Sequence, residues 1–386
     1  MKFYRIDDLP PYVFATVDQL KRELRREGRD VIDLGFGNPD IPSPETAVEK
    51  LREAALNPRN HRYSASRGIE QLRRAVSERY AEVFGVELDP ETQIASTIGA
   101  KEGLAHLMWV LVDRGDSVVV PTPAYPIHRV APRLAGADVV TAPAAGGIDA
   151  IEEAVRSARP RAVVVSYPHN PTTAVATPAD MQRLVDLARE LEFVLVHDFA
   201  YGDVAFDGHK PPSVLAADGA HECAVELYSL TKSFSMAGWR VGFVVGNAEV
   251  VAALAKLKSY LDYGTFQPIQ IASTVAMNEA PEYPKAVNAV YEGRRDALCD
   301  GLERIGWRVP RPKGTMFCWA PIPEPYADLG SLEFAKLLLR EAKVAASPGV
   351  GFGPGGDGFV RFALIENEQR IGQGVRSLRK ALVKLR

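Results

Sequence analysis

The sequence predicts an α/β protein, with a large domain built on a mainly parallel sheet covered by helices and a smaller α+β domain. Three observations carry this. Short valine-rich runs such as SVVVPT, AVVVS and FVLVHD alternate with segments whose apolar residues recur every three or four positions. Strands that read as continuous apolar runs are those buried on both faces, as parallel strands between two helical layers are. Beyond Gly246 that alternation gives way to long helices and then to strand-rich text. A chain of 386 residues, 46% apolar, is long enough for two buried cores.

In chain order, a proline-punctuated aromatic arm precedes a helix carrying Val13, Val17, Leu20 and Leu24, which Gly28 ends. VIDLGFGNPD is a short strand running into Gly35, Gly37 and Pro39, where glycine lets the backbone approach a ligand or simply makes a turn. RYSASRG leads from Tyr63 into a helix with Leu72, Val76 and Tyr80; IASTIGAKEGLAHLMWVLV is a strand, a turn at Gly99 and a second helix. Strand and helix then alternate through SVVVPTPAYP, DVVTAP, AVVVSYPHNPT, a helix over 178–191, and FVLVHD. After a helix over 250–260 come the segment DYGTFQPIQ and a long helical stretch reaching about Ile305, with a boundary expected inside it. The remainder reads as strands WRVP and TMFCWAPI, helix SLEFAKLLLREA, strand VRFALI and a last helix with Ile371, Val375, Leu378 and Leu382 on one face. These breaks place the large domain at 45–285 and the small one at 1–44 with 286–386.

A net charge of −3 and a pI near 6.2 give no global attraction to nucleic acid or anionic membranes, which favours small-molecule chemistry. Cys223, Cys299 and Cys318 are odd in number and widely spaced, so neither a disulfide framework nor a metal site is expected and a reducing cytoplasm suits them. Asp7, Asp8, Pro10 and Pro11 interrupt the N-terminal text, and no run of about 18 apolar residues occurs. Neither a signal peptide nor a membrane span is predicted. Gly351, Gly353 and Gly356 spell GxGxxG but precede a strand, whereas a dinucleotide fingerprint opens a helix.

The chemistry concentrates in SLTKSFSMAGWRVG, Ser229 to Gly242. Lys232 follows the apolar run Ala224 to Leu230 and has Arg240 eight positions on. A partly desolvated lysine near a second cation loses its proton readily, and the neutral amine can attack a carbonyl to form a Schiff base. Ser229, Thr231 and Arg240 offer two hydroxyls and a guanidinium, the donors a phosphate ester takes. A second anion site is expected where Gly99, Ala100 and Lys101 open a helix, from unpaired amides and the helix dipole. A carbonyl compound bearing a phosphate satisfies both halves. Tyr125, Asn170, Asp198, Tyr201 and Lys232 all fall at or just past strand ends, where ligands bind in such sheets. Asp198 is costly to bury there unless it faces a cation.

The Ser229–Gly242 stretch resembles the cofactor-attachment signature of class I aminotransferases, and the likeness runs from the N-terminal arm to the final helix. That resemblance implies a fold type I transferase using pyridoxal 5′-phosphate. It implies that Lys232 holds the cofactor covalently, that Asp198 protonates its ring nitrogen, and that Tyr125, Asn170, Tyr201 and Arg240 stack on it or hydrogen-bond to it. Gly99, Ala100, Lys101 and Ser229 match the phosphate cup, Thr231 and Ala100 standing where serine is frequent in the family but keeping a hydroxyl or small size, and Tyr63 matches a residue that reaches the neighbouring subunit's phosphate in a homodimer. Arg361 in VRFALIEN matches the clamp for the substrate α-carboxylate, with Asn170 and Gly37 beside it. IDDLPPYVF, TIGAKEGLAHL, VHDFAYGDV, SMAGWRVGF and KSYLDYGTFQP are most similar to bacterial glutamate-pyruvate (alanine) aminotransferases. LL-diaminopimelate aminotransferases share much of this text. The expected reaction is therefore alanine plus 2-oxoglutarate to pyruvate plus glutamate. Aspartate or LL-diaminopimelate transamination and carbon-sulfur β-lyase chemistry are the alternatives on the same cofactor residues. A cofactor-binding regulator would need a basic DNA-binding module, for which residues 1–30 are too short.

Overall fold

The computed structural model describes residues 1–384 other than Tyr4, Asp8 and Pro10, so two of the residues that interrupt the N-terminal text lie outside the described set. The chain opens with α1 (Phe14–Arg26), β1 (Ile32–Asp33), α2 (Glu45–Ala55) and α3 (Glu70–Arg79), the last prolonged by a wider turn over Tyr80–Phe84. The alternating region follows: β2 (Ile94–Thr97), α4 (Ala100–Leu111), β3 (Ser117–Thr122), α5 (Pro126–Ala135), β4 (Asp138–Pro143), α6 (Gly147–Ala158), β5 (Ala162–Ser166), α7 (Pro178–Leu191) and β6 (Val194–Asp198). Then come α8 (Ala220–Cys223), β7 (Ala224–Ser229), the single turn α9 (Leu230–Ser233), β8 (Gly242–Gly246), α10 (Ala248–Leu261), α11 (Gln267–Glu279) and α12 (Tyr283–Arg304). The chain finishes through β9 (Phe317–Pro321), α13 (Gly330–Leu337), β10 (Val344–Ala345), β11 (Ser347–Pro348), β12 (Phe359–Ala363) and α14 (Glu368–Lys384).

Strands β2 to β8 form one sheet in the order β2-β8-β7-β6-β5-β3-β4, in which only β8 runs against its neighbours. Period-two alternation makes both faces apolar. Val119, Val163, Val165, Leu195, Tyr228, Phe243 and Val245 pack under α3, α6, α7 and α11. Val118, Val120, Val164, Val196, Leu227 and Val244 pack under α4, α5 and α10. A carboxylate interrupts the first face. Glu226 is fully buried, and it is met by the Tyr80 hydroxyl at 2.8 Å, His197 Nδ1 at 2.8 Å, the Ser213 hydroxyl and the Val214 amide. That full complement of partners is what makes a buried charge tolerable.

A third core gathers Val17, Leu24 and residues 31–34 with α12, α14 and the antiparallel sheet β11-β12-β9, and takes Tyr201, Val204 and Phe206 from mid-chain. There β1 pairs in parallel with β10, Ile32 opposite Val344, so the two ends of the chain share one ladder. The structure corrects one detail and locates a boundary inside the long helical stretch. WRVP is not a strand; Trp307 instead buries its ring against Phe334 and Phe362 and donates to the Pro321 carbonyl. The long helical stretch is two helices, broken at Ala280–Glu282 around Pro281, because proline disfavours helix at the residue before it and suits the start of the next.

Candidate active site

The carboxyl ends of β2, β3, β5, β6 and β7 and the start of the reversed strand β8 fall on one edge of the large sheet. A cavity of about 380 Å³ opens there, closed from the other side by β12, Phe317 and the N-terminal segment. Of the fourteen positions singled out from sequence, twelve line it: Gly37, Ala100, Lys101, Tyr125, Asn170, Asp198, Tyr201, Ser229, Thr231, Lys232, Arg240 and Arg361. Gly99 lies directly behind Arg240. Tyr63 stands apart, 88% exposed and outside the cavity, its ring 5.1 Å from that of Tyr263.

Lys232 sits in the single turn α9, whose start the Ser229 hydroxyl caps by accepting the Thr231 amide. Its Nζ donates to the Gly37 carbonyl at 2.9 Å and lies 6.0 Å from the Tyr201 ring centroid. Burial, reinforced by the positive charges of Arg361 and Arg240, pushes its ammonium down to about 7. Burial alone would raise the Asp198 carboxyl, but the bond from His128 Nε2 at 2.7 Å and the Ala200 amide at 3.2 Å hold it below its ordinary value. Beside this pair, burial pushes His169 down to about 3, so its ring is neutral, and Nδ1 meets the Thr172 hydroxyl at 2.6 Å. Burial also drives the Tyr201 phenol well above its ordinary range.

The anion cradle is built by glycine. Gly99, φ +80°, precedes α4 with no side-chain cap, and the first residues of the helix, Ala100 and Lys101, line the cavity. A Cβ on Gly99 would lie 2.2 Å from Arg240 Nη2, and one on Gly242 would lie 2.6 Å from the Ala100 amide nitrogen. Only bare backbone lets the Arg240 guanidinium and the helix start converge. Arg240 is itself left-handed, φ +56°, and is tied back to the Ala237 carbonyl at 2.9 Å. The Ser229 hydroxyl bridges to Thr231 Oγ1 at 2.9 Å and the Val241 carbonyl at 3.1 Å.

On the opposite wall Arg361 donates to Asn170 Oδ1 at 2.7 Å and stacks between Phe317 and Phe352, 3.8 and 4.7 Å from their centroids. Burial pushes it down to about 10, and its Nε has no partner among the described residues. A desolvated guanidinium with an unmet donor fits a carboxylate. Phe317 also fills the space a side chain at Gly37 would need, 2.5 Å from its Cβ position.

His128 and Phe317 were not anticipated. His128 stands three residues after Tyr125 at the start of α5, and that one-turn spacing was the available signal. Phe317 gave none, because an aromatic in strand text reads as core. The GxGxxG glycines lie in a turn and loop ahead of β12, as their sequence context required.

The family model for aminotransferase class I and II matches residues 29–378. The chain belongs to that family. This aminotransferase is 49% identical to the glutamate-pyruvate aminotransferase AlaC of Escherichia coli over 383 residues, covering 98% of this chain and 93% of the relative. It is 41% identical to an LL-diaminopimelate aminotransferase of Desulforudis audaxviator, covering 98% and 97%. A Thermus thermophilus aspartate aminotransferase mutant superposes with a TM-score of 0.92 at 28% identity, covering 99% of both chains. The aminotransferase therefore has the fold type I transferase architecture and acts on amino acids and 2-oxo acids. Among its described residues no helix is long and apolar enough to cross a membrane.

Proposed function

We propose that this aminotransferase uses pyridoxal 5′-phosphate and exchanges the amino group of alanine with 2-oxoglutarate, giving pyruvate and glutamate. The observation that carries the cofactor reading is a lysine amine brought down to about 7 within a cavity that also holds a glycine-built anion cradle. When bound, that cofactor supplies a carbonyl for amines and an electron sink for the electrons at the substrate Cα.

The chain's own groups do the rest. Lys232 holds the cofactor and then carries the proton released at Cα, a task suited to a base near neutrality. Asp198, kept ionised by His128, is the partner for a protonated ring nitrogen. Tyr201 and Asn170 supply donors to the ring oxygen, and Tyr125 supplies a face. The α4 amides of Gly99, Ala100 and Lys101, with Ser229, Thr231 and Arg240, take the phosphate. Arg361 takes the substrate α-carboxylate, with Gly37 giving close approach. Tyr63 reaches the phosphate of a second copy, so the working form is a homodimer with shared sites. The division at 45–285 against 1–44 and 286–386 belongs to this reading, as does a cytoplasmic setting. Borohydride reduction followed by peptide mapping tests the attachment point; label on any lysine other than Lys232 would overturn it.

The alanine assignment rests on the identity to the glutamate-pyruvate enzyme. The LL-diaminopimelate relatives support that substrate as a second reading. Comparing kcat/KM for alanine, aspartate, glutamate, an aromatic amino acid and LL-diaminopimelate decides. Alanine and glutamate should lead; aspartate or LL-diaminopimelate ahead of alanine by more than about tenfold, roughly 1.4 kcal/mol, overturns the alanine reading and leaves transamination standing.

A further inference from the structure

Lys258, on α10, is the one fully buried lysine among the described residues, and nothing in the mechanism uses it. Its Nζ lies 2.8 Å from Glu102 Oε1 and 2.8 Å from Asp262 Oδ2. His106 Nδ1 closes on the same Glu102 oxygen at 2.9 Å. Glu102, His106 and Asp262 cluster as metal ligands would, but the Lys258 ammonium is already bonded to both carboxylates.

Each carboxylate holds a different piece of backbone. Glu102 reaches back with its other oxygen to the Ile98 amide at 3.0 Å, fixing the turn that opens α4 at the anion cradle. Burial opposes its ionisation, but His106 and Lys258 hold its carboxyl down to about 2. Asp262 accepts the Gly264 amide at 2.6 Å and so shapes the turn between α10 and α11. That turn exposes Tyr263, left-handed at φ +55°, and Phe266, beside exposed Tyr260 at the end of α10. Gly264 packs on the segment after Tyr63, since a Cβ there would meet the Ala65 carbonyl at 2.9 Å. Gln270 stitches the two together through Ser64 Oγ at 2.9 Å, the Thr265 carbonyl at 2.6 Å and the Ile69 amide at 2.8 Å. The aromatic surface containing Tyr63 is thus wired to the start of α4 through a single buried cation.

We propose that Lys258 is a positioning residue that locks the phosphate-binding start of α4 to the Asp262–Phe266 turn, so that cofactor binding and pairing of two copies across this aromatic surface reinforce each other. The inference rests on the phosphate and homodimer readings above. Its occupant is a second copy because the patch is continuous with Tyr63, the residue assigned to the partner's phosphate. Coupling between two binding events is reciprocal and is commonly a factor of about 5–150, and such a path needs a direct test of coupling.

The test measures dimer dissociation by sedimentation of the full chain in three states: cofactor-stripped, with pyridoxal 5′-phosphate, and with phosphate-free pyridoxal. In the wild type the phosphorylated compound should tighten the dimer by about tenfold and pyridoxal should not. In Lys258→Met this factor should fall by about threefold or more, the remainder being the direct Tyr63 contact. The double variant Glu102→Gln/Lys258→Gln, which removes the charges together and avoids an unpaired buried carboxylate at Glu102, should behave the same. A merely structural role would lower stability and affinity but leave the factor unchanged, and that result overturns the proposal. So does a wild type that binds the cofactor as a dimer without coupling, which leaves the pyridoxal 5′-phosphate and transamination readings intact. A wild type that is monomeric, or that does not bind pyridoxal 5′-phosphate, removes both.

Discussion

A buried lysine that also feels two guanidinium groups cannot keep its proton as it would in water, and at Lys232 that has a thermodynamic side. Its ordinary value near 10.5 falls to about 7 in the fold, so from pH 7 to 10.5 the unfolded chain binds a proton that the folded chain does not. Unfolding free energy therefore rises with pH across that window; the penalty is complete below pH 7 and gone above 10.5. Without cofactor, Lys232→Met should be more stable than wild type at pH 6 by roughly 2–5 kcal/mol, the gap narrowing toward pH 9. Urea melts at three pH values check this, and a gap independent of pH would contradict it. Arg361 is tested differently. Lysine preserves the charge but cannot offer the planar fork, so Arg361→Lys should lower kcat/KM by roughly 10²-fold or more for every amino acid alike. Steady-state kinetics across the donor panel reads this directly. Lys232 and Asp198 were legible in sequence as cavity residues because each stands beside strand text that brings it inward, whereas Arg361 came from the family resemblance of VRFALIEN. His128 was not, because its partner Asp198 lies 70 residues further along the chain.

At the scale of elements, the start of α4 is defined more by what is missing than by what is present. Gly99→Ala would place a methyl within 2.2 Å of Arg240 Nη2 at a backbone angle of +80°. The arginine must withdraw from the cradle, so binding of pyridoxal 5′-phosphate should weaken by about tenfold or more while pyridoxal binding changes far less. Isothermal titration of the two compounds separates these. The capping box of α7 supplies a contrasting case remote from the site. Thr177 accepts the Asp180 amide at 3.2 Å, and the Asp180 carboxylate accepts the Thr177 amide at 2.8 Å. Thr177→Ala should cost about 1 kcal/mol of stability with kinetics untouched, seen as a lowered Tm. The α7 boundaries read from sequence, 178–191, coincide with those observed, because Pro178 and the capping residues punctuate its start. β10 and β11 were illegible for the opposite reason. Two residues each are too few to show a period, and their pairing is fixed by distant segments.

For the whole molecule, the shared-site reading makes a specific demand. Mixing inactive Tyr63 and Lys232 variants should restore activity through hybrids in which one site has both residues intact. Recovery to about a quarter of wild type is the expected ceiling for statistical exchange, and none after verified exchange counts against sharing. Only the family resemblance singled out Tyr63 on this surface; Tyr260 reads as the end of a helix and Tyr263 as a loop aromatic until the fold brings them beside it. The ladder between β1 and β10 carries a consequence for biosynthesis. Val31, Ile32 and Leu34 are buried only once partners near the far end of the chain are made; the Ser347 hydroxyl meets the Gly35 carbonyl across 312 residues. At about 5–20 residues per second, this N-terminal apolar segment waits roughly 15–60 s on the ribosome with its ladder unfilled. The cavity wall that holds Arg361, which needs Gly35 beside it, is among the last parts of the enzyme to come into being.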